Sequence, residues 1–530
     1  MNNKHKDISE SKPDVNRPCP TGTPAGKSRV AFVTFGCRLN KAEALDLEST
    51  YAASGWEIVT LKHGNHGITG NEAKLRTSAV ADFNPREQSH SMSETGHISH
   101  ESHLAPHETA TSTPQSSTGC KSCGGKEYPV ATEQQLAPDL IIVRGCSVTA
   151  RAQRDCEKSI AHLREQFPNT PIKITGCLNI ANATETHSTE SCANSPTPRI
   201  ATLDDESAGH LISNTASSTE HYPLSRAYLK VQDGCSGKCA FCIVPSFRGK
   251  PISVPFHEVV ARARKFLDAG FREIVLTGCN LCLYHSEGRG IAELAAELAS
   301  LESPGHRIRL GSVEPGICDS RIIDAMESAP NICRFLHLSL QSASDRILRL
   351  MRRPYTAEQV FAFCSSASRR LGDRMAFGAD IISGFPGETD SDHEATKQFL
   401  STPLPPFDNN ALQKDRECRS PFIHLHVFPY SERPGTEAAT LPNSIPPETR
   451  RARAREIETI GAENRLHFAS RLVGQTVTVC IEKDGNGRTD EYLRCNLRGA
   501  AARRSLALAK VEKYSVRDGS LSAIILAEHS

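Results

Sequence analysis

Three cysteines on one short segment give the clearest chemical signal in the chain. Cys235, Cys239 and Cys242 have the spacing C-x3-C-x2-C, and the aromatic Phe241 precedes the last of them. Three thiolates on a tight loop can bind three irons of a [4Fe–4S] cube and leave the fourth iron without a protein ligand. Because an iron with an open position can bind a substrate or cofactor, the spacing predicts a catalytic iron–sulfur cluster.

A zinc knuckle is the alternative for the same three cysteines. Structural zinc sites usually have four ligands that come from two paired sets. Cys279 and Cys282 could supply the second pair, but one thiol of the triad would then be unused. The spacing therefore favours the cluster.

A second group of three cysteines follows segments that have the composition of buried strands. Each of three apolar segments, 29–35, 139–143 and 171–175, runs into a Gly-Cys step, and these steps contain Cys37, Cys146 and Cys177. Helical segments at 41–53 and 150–166 follow the first two. The pattern predicts a parallel α/β sheet whose carboxyl edge brings the three thiols together. Isolated buried thiols are the alternative, but the repeated context favours a second cluster.

Three segments are poor in aliphatic residues and interrupt this pattern. The segment 62–135 is rich in Ser, Thr, His and Gly, and this composition predicts a disordered insertion. Its histidines and the pair Cys120 and Cys123 allow metal binding, but their irregular spacing is more typical of a solvated loop. We interpret 183–219 as a linker and 403–420 as a lengthened loop.

From residue 227 onward, strand-like segments alternate with amphipathic helical segments. The predicted strands are 227–231, 273–277, 307–311, 335–340, 376–383 and 422–427. The predicted helices include 257–269, 290–300, 356–371 and 390–400. Six such repeats predict a partial (β/α)6 barrel with its active site at the carboxyl ends of the strands. The Cys235 segment follows the first strand, where a catalytic loop is expected.

The last part of the chain has a different pattern. Short strands are predicted at 476–482, 491–495, 506–511 and 522–526, with a turn at 484–487. Their number and spacing predict a small β-barrel of a kind often used to bind RNA.

Composition sets limits on location and partners. The 530 residues are 38% hydrophobic, which is sufficient for two or three domains. The net charge of +1 argues neither for nor against nucleic acid as a partner. Nineteen cysteines without an apolar N-terminal signal favour a reducing cytoplasm. No apolar run approaches the roughly 18 residues of a membrane span, so no membrane insertion is expected.

Ten short motifs, in this order, carry a resemblance to a known family. They are GCRLN at 36–40 with Glu43, GCSVT at 145–149, TGC at 175–177, the loop 235–249, LTG at 276–278, SVEP at 312–315, HLSLQS at 337–342, MRRPY at 351–355, GADIISGFPGET at 378–389 and HVFPYS at 426–431. With them the chain resembles the radical S-adenosylmethionine methylthiotransferases. The motifs GCRLN, QDGC and VEP are similar to those of the branch that acts on threonylcarbamoyladenosine in tRNA. The chain departs from the family pattern at Arg144-Gly145, at Cys279 and Cys282, and in the insertion.

The resemblance implies a fold of three units, of which two are α/β and the last is a small β-barrel. These are an N-terminal methylthiotransferase domain at 28–182, a radical S-adenosylmethionine core at 221–465 and an RNA-binding, TRAM-like β-barrel at 470–530. The implied reaction converts N6-threonylcarbamoyladenosine at position 37 of tRNA to its 2-methylthio derivative. Isopentenyladenosine in tRNA or a ribosomal-protein aspartate are the alternative substrates, and a non-catalytic metal protein that binds RNA is the alternative class.

The resemblance also implies two [4Fe–4S] clusters and S-adenosylmethionine as cofactors. Cys235, Cys239 and Cys242 would hold the catalytic cluster, and Cys37, Cys146 and Cys177 would hold an auxiliary cluster that carries the sulfur. One S-adenosylmethionine would methylate this sulfur, and a second would yield a radical that removes hydrogen from C2 of the adenine. A radical is chemically sensible because an aromatic C–H is too weak an acid for side-chain bases.

Further contacts are expected at strand ends and on a basic surface. The candidates for binding S-adenosylmethionine are Gly278, Glu314, Gln341 and Asp380, with loop turns and helix caps as the alternative. Arg248, Arg352 and Arg353 are candidates for phosphate contacts, with a solvated basic face as the alternative. The expected partners are tRNA and an electron donor such as flavodoxin or ferredoxin, and the protein is expected to be a monomer.

Overall fold

The computed structural model describes most of the chain. The described residues are 28–59, 61, 137–178, 224–316, 320–404, 420–482 and 485–528. The predicted insertion at 62–135 and linker at 183–219 lie outside these residues, as does most of the loop predicted at 403–420.

The N-terminal part is a four-stranded parallel sheet with two helices. Its elements are β1 (Arg29–Thr34), α1 (Arg38–Ala53), β2 (Glu57–Val59), β3 (Leu140–Cys146), α2 (Ala150–Gln166) and β4 (Ile172–Cys177). The strand order is β2-β1-β3-β4, and all pairs are parallel. Ile141 and Val143 of β3 are fully buried, because this central strand is covered on both faces. The predicted parallel α/β sheet is confirmed.

The first third of the central part surrounds the first cysteine segment. Its elements are β5 (Ala227–Lys230), β6 (Gln232–Asp233), α3 (Val244–Arg248), β7 (Ile252–Ser253), α4 (Phe256–Asp268), β8 (Glu273–Thr277), a 3-10 turn (Leu281–Leu283), β9 (His285–Ser286), β10 (Arg289–Gly290) and α5 (Ile291–Ala299). The short strands β6 and β7 pair antiparallel, so they form the base of the loop that carries the cysteines.

The remaining elements complete the central part. They are β11 (Arg307–Leu310), β12 (Ser312–Val313), α6 (Arg321–Ser328), β13 (Phe335–Gln341), α7 (Asp345–Leu350), α8 (Ala357–Leu371), β14 (Ala376–Ser383), α9 (Asp390–Ser401), β15 (Phe422–Pro429), a 3-10 turn (Glu437–Thr440) and α10 (Pro447–Arg471). The strands form two adjoining parallel sheets, β11-β8-β5 and β12-β13-β14-β15. Since β12 continues β11 after Gly311, six parallel strands follow one another in chain order, and the predicted partial (β/α)6 barrel is confirmed.

Helix α10 has no counterpart among the predicted elements. It runs through the domain boundary predicted between 465 and 470. Its buried face includes Arg450, Arg453 and Asn464, and Asn464 donates to the carbonyl oxygens of Leu400 and Phe422. Because polar side chains occupy the buried face, an apolar period of 3.6 residues does not mark this helix in the sequence.

The C-terminal part is a closed barrel of five strands. They are β16 (Thr476–Ile481), β17 (Asn486–Thr489), β18 (Arg494–Arg498), β19 (Leu506–Ser515) and β20 (Ser520–Glu528), in the order β16-β17-β18-β20-β19 with β16 paired to β19. The small barrel is confirmed, and the turn predicted at 484–487 overlaps the connection between the antiparallel strands β16 and β17. The strand predicted at 491–495 is displaced, because β18 begins only at Arg494 after a second turn. Tyr492 has a left-handed φ of 70° and its N–H donates to the carbonyl of Thr489, so the turn lies at 490–493.

Within the residues described above, none of the helices combines the length and the apolar composition of a membrane-spanning segment.

Candidate active site

The first triad, Cys235, Cys239 and Cys242, lies on a loop that buried hydrogen bonds hold in shape. Gln232 is fully buried at the base of this loop, and its Nε2 donates to the carbonyl oxygens of Asp233 and Gly234, both at 2.7 Å. The N–H of Cys235 donates to the carbonyl of Gly249, which closes the loop at 3.1 Å. Apolar packing adds to these hydrogen bonds, because Ala240 of the loop is buried in a cluster with Met351 and Phe385.

The sulfurs of the first triad share a small space. An added Cβ at Gly237 would lie 3.2 Å from Cys235 Sγ and 3.7 Å from Cys239 Sγ, and the Gly237 N–H donates to Cys235 Sγ at 3.2 Å. Burial is the main reason that the pKa of Cys242 rises to about 11, and the charges of Cys239 and Cys235 add to this shift. Three neighbouring soft sulfur ligands, with a glycine in place of a larger side chain, fit an iron–sulfur cluster.

Arg353 lies against the first triad rather than on a basic surface. Its Nη1 donates to Cys239 Sγ at 2.9 Å, and its Nη2 lies 3.0 Å from Glu314 Oε1. The side chain is only 5% exposed. The predicted phosphate contact is therefore wrong for Arg353. Arg352, in contrast, is half exposed and pairs with Glu437 at 2.7 Å.

Three of the four candidates for S-adenosylmethionine contacts lie at strand ends, as predicted. Gly278 follows β8 directly, Glu314 follows β12, and Gln341 is the last residue of β13. Glu314 Oε2 accepts from Asn280 Nδ2 at 2.5 Å. An added Cβ at Gly278 would lie 2.9 Å from the Gln232 carbonyl oxygen, so this position has no room for a side chain.

Asp380, the fourth candidate, does not lie at a strand end. Strand β14 has the predicted bounds, 376–383, and its pairing with β15 extends to Ser383, so Asp380 lies within the strand. Asp380 Oδ1 accepts from His337 Nε2 at 2.9 Å and from His426 Nδ1 at 3.1 Å. The position predicted for Asp380 is therefore wrong, and the residue faces two imidazoles inside the partial barrel.

The second triad, Cys37, Cys146 and Cys177, comes together at the carboxyl edge of the N-terminal sheet. Cys146 and Cys177 are register partners on β3 and β4, and Cys37 immediately precedes α1. An added Cβ at Gly36 would lie 3.0 Å from Cys146 Sγ. Burial raises the pKa of Cys146 to about 11, and the neighbouring charges of Cys37 and Cys177 contribute to the shift. This donor set also fits a cluster.

Arg248 connects the two triads. It ends helix α3, which follows the first triad in the chain, and its Nε donates to Cys177 Sγ of the second triad at 2.9 Å. Its Nη1 donates to Glu43 Oε1 at 2.9 Å and to Asp233 Oδ1 at 3.0 Å. The side chain is 7% exposed. Because its donors have protein partners, the predicted phosphate contact is wrong for Arg248 as well.

Glu43 is the acidic centre of this network. It pairs with Arg144, with Lys230 at 2.6 Å and with Arg248 at 2.9 Å. Burial would raise the pKa of Glu43, but the three cations outweigh burial and hold this pKa well below its usual value. Glu43, Arg144, Lys230 and Arg248 are far apart in the sequence, and no motif predicted that they meet.

Further thiols lie beside both triads. Cys279 Sγ donates to Asp233 Oδ1 at 3.3 Å, and Cys282 Sγ lies 3.7 Å from the carbonyl oxygen of Glu314. Cys156 is buried next to the second triad, where its sulfur accepts from the Cys146 N–H at 3.3 Å. The sequence analysis missed Cys156 because its helix gives no spacing signal.

The chain is similar in sequence to several known proteins. The model of the radical SAM superfamily matches residues 229–400, which include the first triad. A threonylcarbamoyladenosine tRNA methylthiotransferase, MtaB, from Rickettsia prowazekii is 28% identical over 73% of this chain and 91% of its own length. MtaB from Chlamydia pneumoniae is 30% identical over 67% of this chain and 80% of its own. A tRNA-2-methylthio-N(6)-dimethylallyladenosine synthase from Cereibacter sphaeroides is 31% identical over 68% and 83%.

One solved structure shows a more distant similarity. The methyltransferase TsrM from Kitasatospora setae, a radical S-adenosylmethionine enzyme, is 13% identical, with a TM-score of 0.37 over 49% of this chain and 59% of its own.

The match to the radical SAM superfamily implies a [4Fe–4S] cluster and S-adenosylmethionine as cofactors. Relatives that are at least 30% identical extend the similarity over two thirds of the chain and four fifths of their own length. The chain therefore belongs to the radical S-adenosylmethionine methylthiotransferase family.

Proposed function

We propose that the protein is a tRNA methylthiotransferase that converts N6-threonylcarbamoyladenosine to its 2-methylthio derivative. The observation that carries this proposal is the presence of two separate cysteine triads, each with a buried arginine at one of its sulfurs. The relatives described above, from three organisms, are all named for methylthio transfer to tRNA, and two of them are named for threonylcarbamoyladenosine.

We assign the two triads to two clusters. Cys235, Cys239 and Cys242 would hold the cluster that, with S-adenosylmethionine, supplies the radical for removing hydrogen from C2 of adenine. Cys37, Cys146 and Cys177 would hold the auxiliary cluster at which the sulfur is delivered. An electron donor of the flavodoxin or ferredoxin type would supply electrons.

The surrounding residues have orienting roles in this proposal. Arg353 and Arg248 would orient and neutralise the thiolates Cys239 and Cys177. Glu314, at hydrogen-bond distance from Arg353 and Asn280, is the best placed of the candidates for binding the amino group of S-adenosylmethionine. Gly278 and Gln341 remain candidates at neighbouring strand ends, and residues 470–530 remain the proposed RNA-binding unit.

The polar interior of the partial barrel supports the choice of substrate branch. His337 of β13 faces Asp380 and His426, because its Nε2 lies 2.9 Å from Asp380 Oδ1 and Asp380 Oδ1 lies 3.1 Å from His426 Nδ1. Asp380 and His426 lie on the neighbouring strands. A dimethylallyl group would be better accommodated by an apolar lining, whereas a threonylcarbamoyl group has hydrogen-bonding atoms throughout.

The cluster assignment is tested by anaerobic reconstitution. The unmodified protein should contain about eight irons and about eight sulfides per chain. Cys235→Ala and Cys37→Ala should each lose about half of both, and only Cys235→Ala should stop the formation of 5′-deoxyadenosine. Cys364→Ala, at a buried cysteine of α8, is the control and should keep all the iron. Cleavage of S-adenosylmethionine by Cys235→Ala would contradict the assignment.

The substrate is tested by mass spectrometry of tRNA nucleosides from a deletion strain. We expect the 2-methylthio derivative of threonylcarbamoyladenosine to disappear and to return with a plasmid copy of the gene. Disappearance of the dimethylallyladenosine derivative would assign the protein to the other branch. Unchanged nucleosides would exclude tRNA as the substrate.

A further inference from the structure

Two imidazoles and a carboxylate meet inside the partial barrel, on three adjacent strands. His337 is on β13, Asp380 on β14 and His426 on β15, and Asp380 and His426 are register partners. One ligand atom of each residue lies within 4.8 Å of the others. These three residues, the interior cluster, are separate from both cysteine triads.

The donor atoms have the chemistry and spacing of a metal site. Two imidazole nitrogens and one carboxylate oxygen are common ligands of zinc and of other first-row divalent ions. Asp380 Oδ1 lies 2.9 Å from His337 Nε2 and 3.1 Å from His426 Nδ1. Ligand atoms about 2.1 Å from a tetrahedral metal ion are about 3.4 Å from one another. An ion therefore fits between these atoms with little movement of the side chains.

Neighbouring residues support the ring orientations that a metal needs. A histidine that binds a metal through one nitrogen usually has the other nitrogen in a hydrogen bond, which fixes the ring. The Nε2 of His426 lies 3.0 Å from His424 Nε2, so Nδ1 of His426 is the atom that faces Asp380. An added Cβ at Gly378 would lie 2.2 Å from His337 Nδ1, so the glycine makes room for this ring.

The charge of the interior cluster favours a cation. Glu43, Glu273 and Glu314 are buried carboxylates with arginine or lysine partners. The ion pairs found for Asp380 within the described part of the chain are with His337 and His426 only. Its side chain is 22% exposed, and a largely buried carboxylate requires a compensating charge. A divalent ion supplies this charge and leaves both imidazoles neutral, as metal ligation requires.

We propose that His337, Asp380 and His426 bind a divalent transition-metal ion, with zinc as the ion to test. Three protein ligands leave at least one coordination position open, toward the interior of the partial barrel. A bound ion can therefore accept an oxygen or nitrogen ligand from a molecule in that space. The proposal gives Asp380 a role other than contact with S-adenosylmethionine, and it does not depend on which nucleoside is the substrate.

The test is zinc content after cluster reconstitution and dialysis against Zn²⁺. The full-length protein and its variants are compared by elemental analysis. Asp380→Asn and His426→Gln should each contain about one zinc less per chain than the unmodified protein. His393→Gln is the matched control, because His393 pairs with Glu456 at 3.1 Å but has no part in the interior cluster. Each variant changes one residue and keeps all the cysteines. A difference in zinc content between an interior-cluster variant and the control therefore measures the zinc that the interior cluster binds.

Equal zinc in the unmodified protein and in folded Asp380→Asn would overturn the proposal, as would the absence of bound zinc in the unmodified protein. If Asp380→Asn does not fold, His337→Gln and His426→Gln provide the same comparison. X-ray absorption at the zinc edge gives an independent measurement on the unmodified protein. A nitrogen and oxygen shell is expected, whereas sulfur at about 2.3 Å would assign the zinc to cysteines and contradict the proposal.

Discussion

At the scale of single residues, each cysteine triad has one sulfur that accepts a hydrogen bond from a buried arginine. Arg353 donates to Cys239 and Arg248 donates to Cys177, both at 2.9 Å. Each arginine is held in turn by buried carboxylates, Glu314 for Arg353 and Glu43 for Arg248. A charged donor at a cluster sulfur stabilises the more negative, reduced state of the cluster.

Arg353→Gln should lower the reduction potential of the catalytic cluster, because the variant keeps an amide donor but loses the positive charge. We expect a decrease on the order of 50 mV, measured by a redox titration followed by electron paramagnetic resonance. Arg352→Gln is the control, since this neighbour is half exposed and pairs with Glu437. Equal potentials in Arg353→Gln and in the unmodified protein would show that the arginine does not act on the cluster.

At the scale of elements, the strand ends determine how closely the second triad can assemble. Gly36 lies between β1 and α1 with a left-handed φ of 94°, and an added Cβ would lie 2.8 Å from Cys146 Cβ. The same step brings Cys37 to the beginning of α1, next to the ends of β3 and β4. A side chain at this position would therefore separate Cys37 from Cys146.

Gly36→Ala should reduce the iron content from about eight to about four per chain while cleavage of S-adenosylmethionine continues. Gly55→Ala is a matched control, because Gly55 has a φ of 87° but nothing lies within 4 Å of the added Cβ. The control carries a backbone strain of about 1 kcal/mol without a clash and should keep all the iron. Iron analysis of both variants is the measurement. Full iron content in Gly36→Ala would refute the packing argument.

At the scale of the whole molecule, a buried group of charges joins the two barrels. Glu273, at the beginning of β8, pairs with Arg309 at 2.7 Å and with Arg307 at 2.5 Å. Arg307 also pairs with Asp490 of the C-terminal barrel at 2.5 Å, and Arg309 donates to the carbonyl oxygen of Thr489 at 2.9 Å. The orientation of the small barrel therefore depends on these charges.

Glu273→Gln should lower the free energy of unfolding by about 3–5 kcal/mol at neutral pH, because two buried guanidinium groups lose their partner. Burial would raise the pKa of Glu273, but Arg307 and Arg309 outweigh burial and hold it far below the ordinary value of 4.5. A lowered folded-state pKa gives stability that is present above pH 4.5 and is lost as the pH falls further. Denaturant unfolding at several pH values should show that the free energy of unfolding falls in acid for the unmodified protein and falls less for Glu273→Gln.

Glu512→Gln provides the control for this prediction, because its pair with Arg498 is on the exposed surface of the C-terminal barrel. The cost should stay below about 1 kcal/mol. A comparable cost in both variants would mean that the interface between the barrels does not depend on buried charge.

Local patterns in the sequence were sufficient for most of the architecture. The helix at 150–166 and the strands at 273–277 and 376–383 were predicted with the bounds that the structure gives. Apolar alternation and periodicity identify such buried elements, because their faces contact the core. Helix α10 and strand β17 were missed because polar residues occupy the buried face of the helix and a turn-like sequence begins the strand.

The sequence alone was sufficient to predict cluster chemistry for the cysteines, because the spacing C-x3-C-x2-C and the three Gly-Cys steps are local features of the chain. Only the tertiary structure decided what surrounds them. The sequence analysis placed Arg248 and Arg353 on a basic surface, yet each is buried at a cysteine sulfur. Asp380 meets His337 and His426 only because three parallel strands bring distant segments into register. Sequence spacing encodes ligands on one loop, whereas the partners of a buried charge are set by strand order and packing.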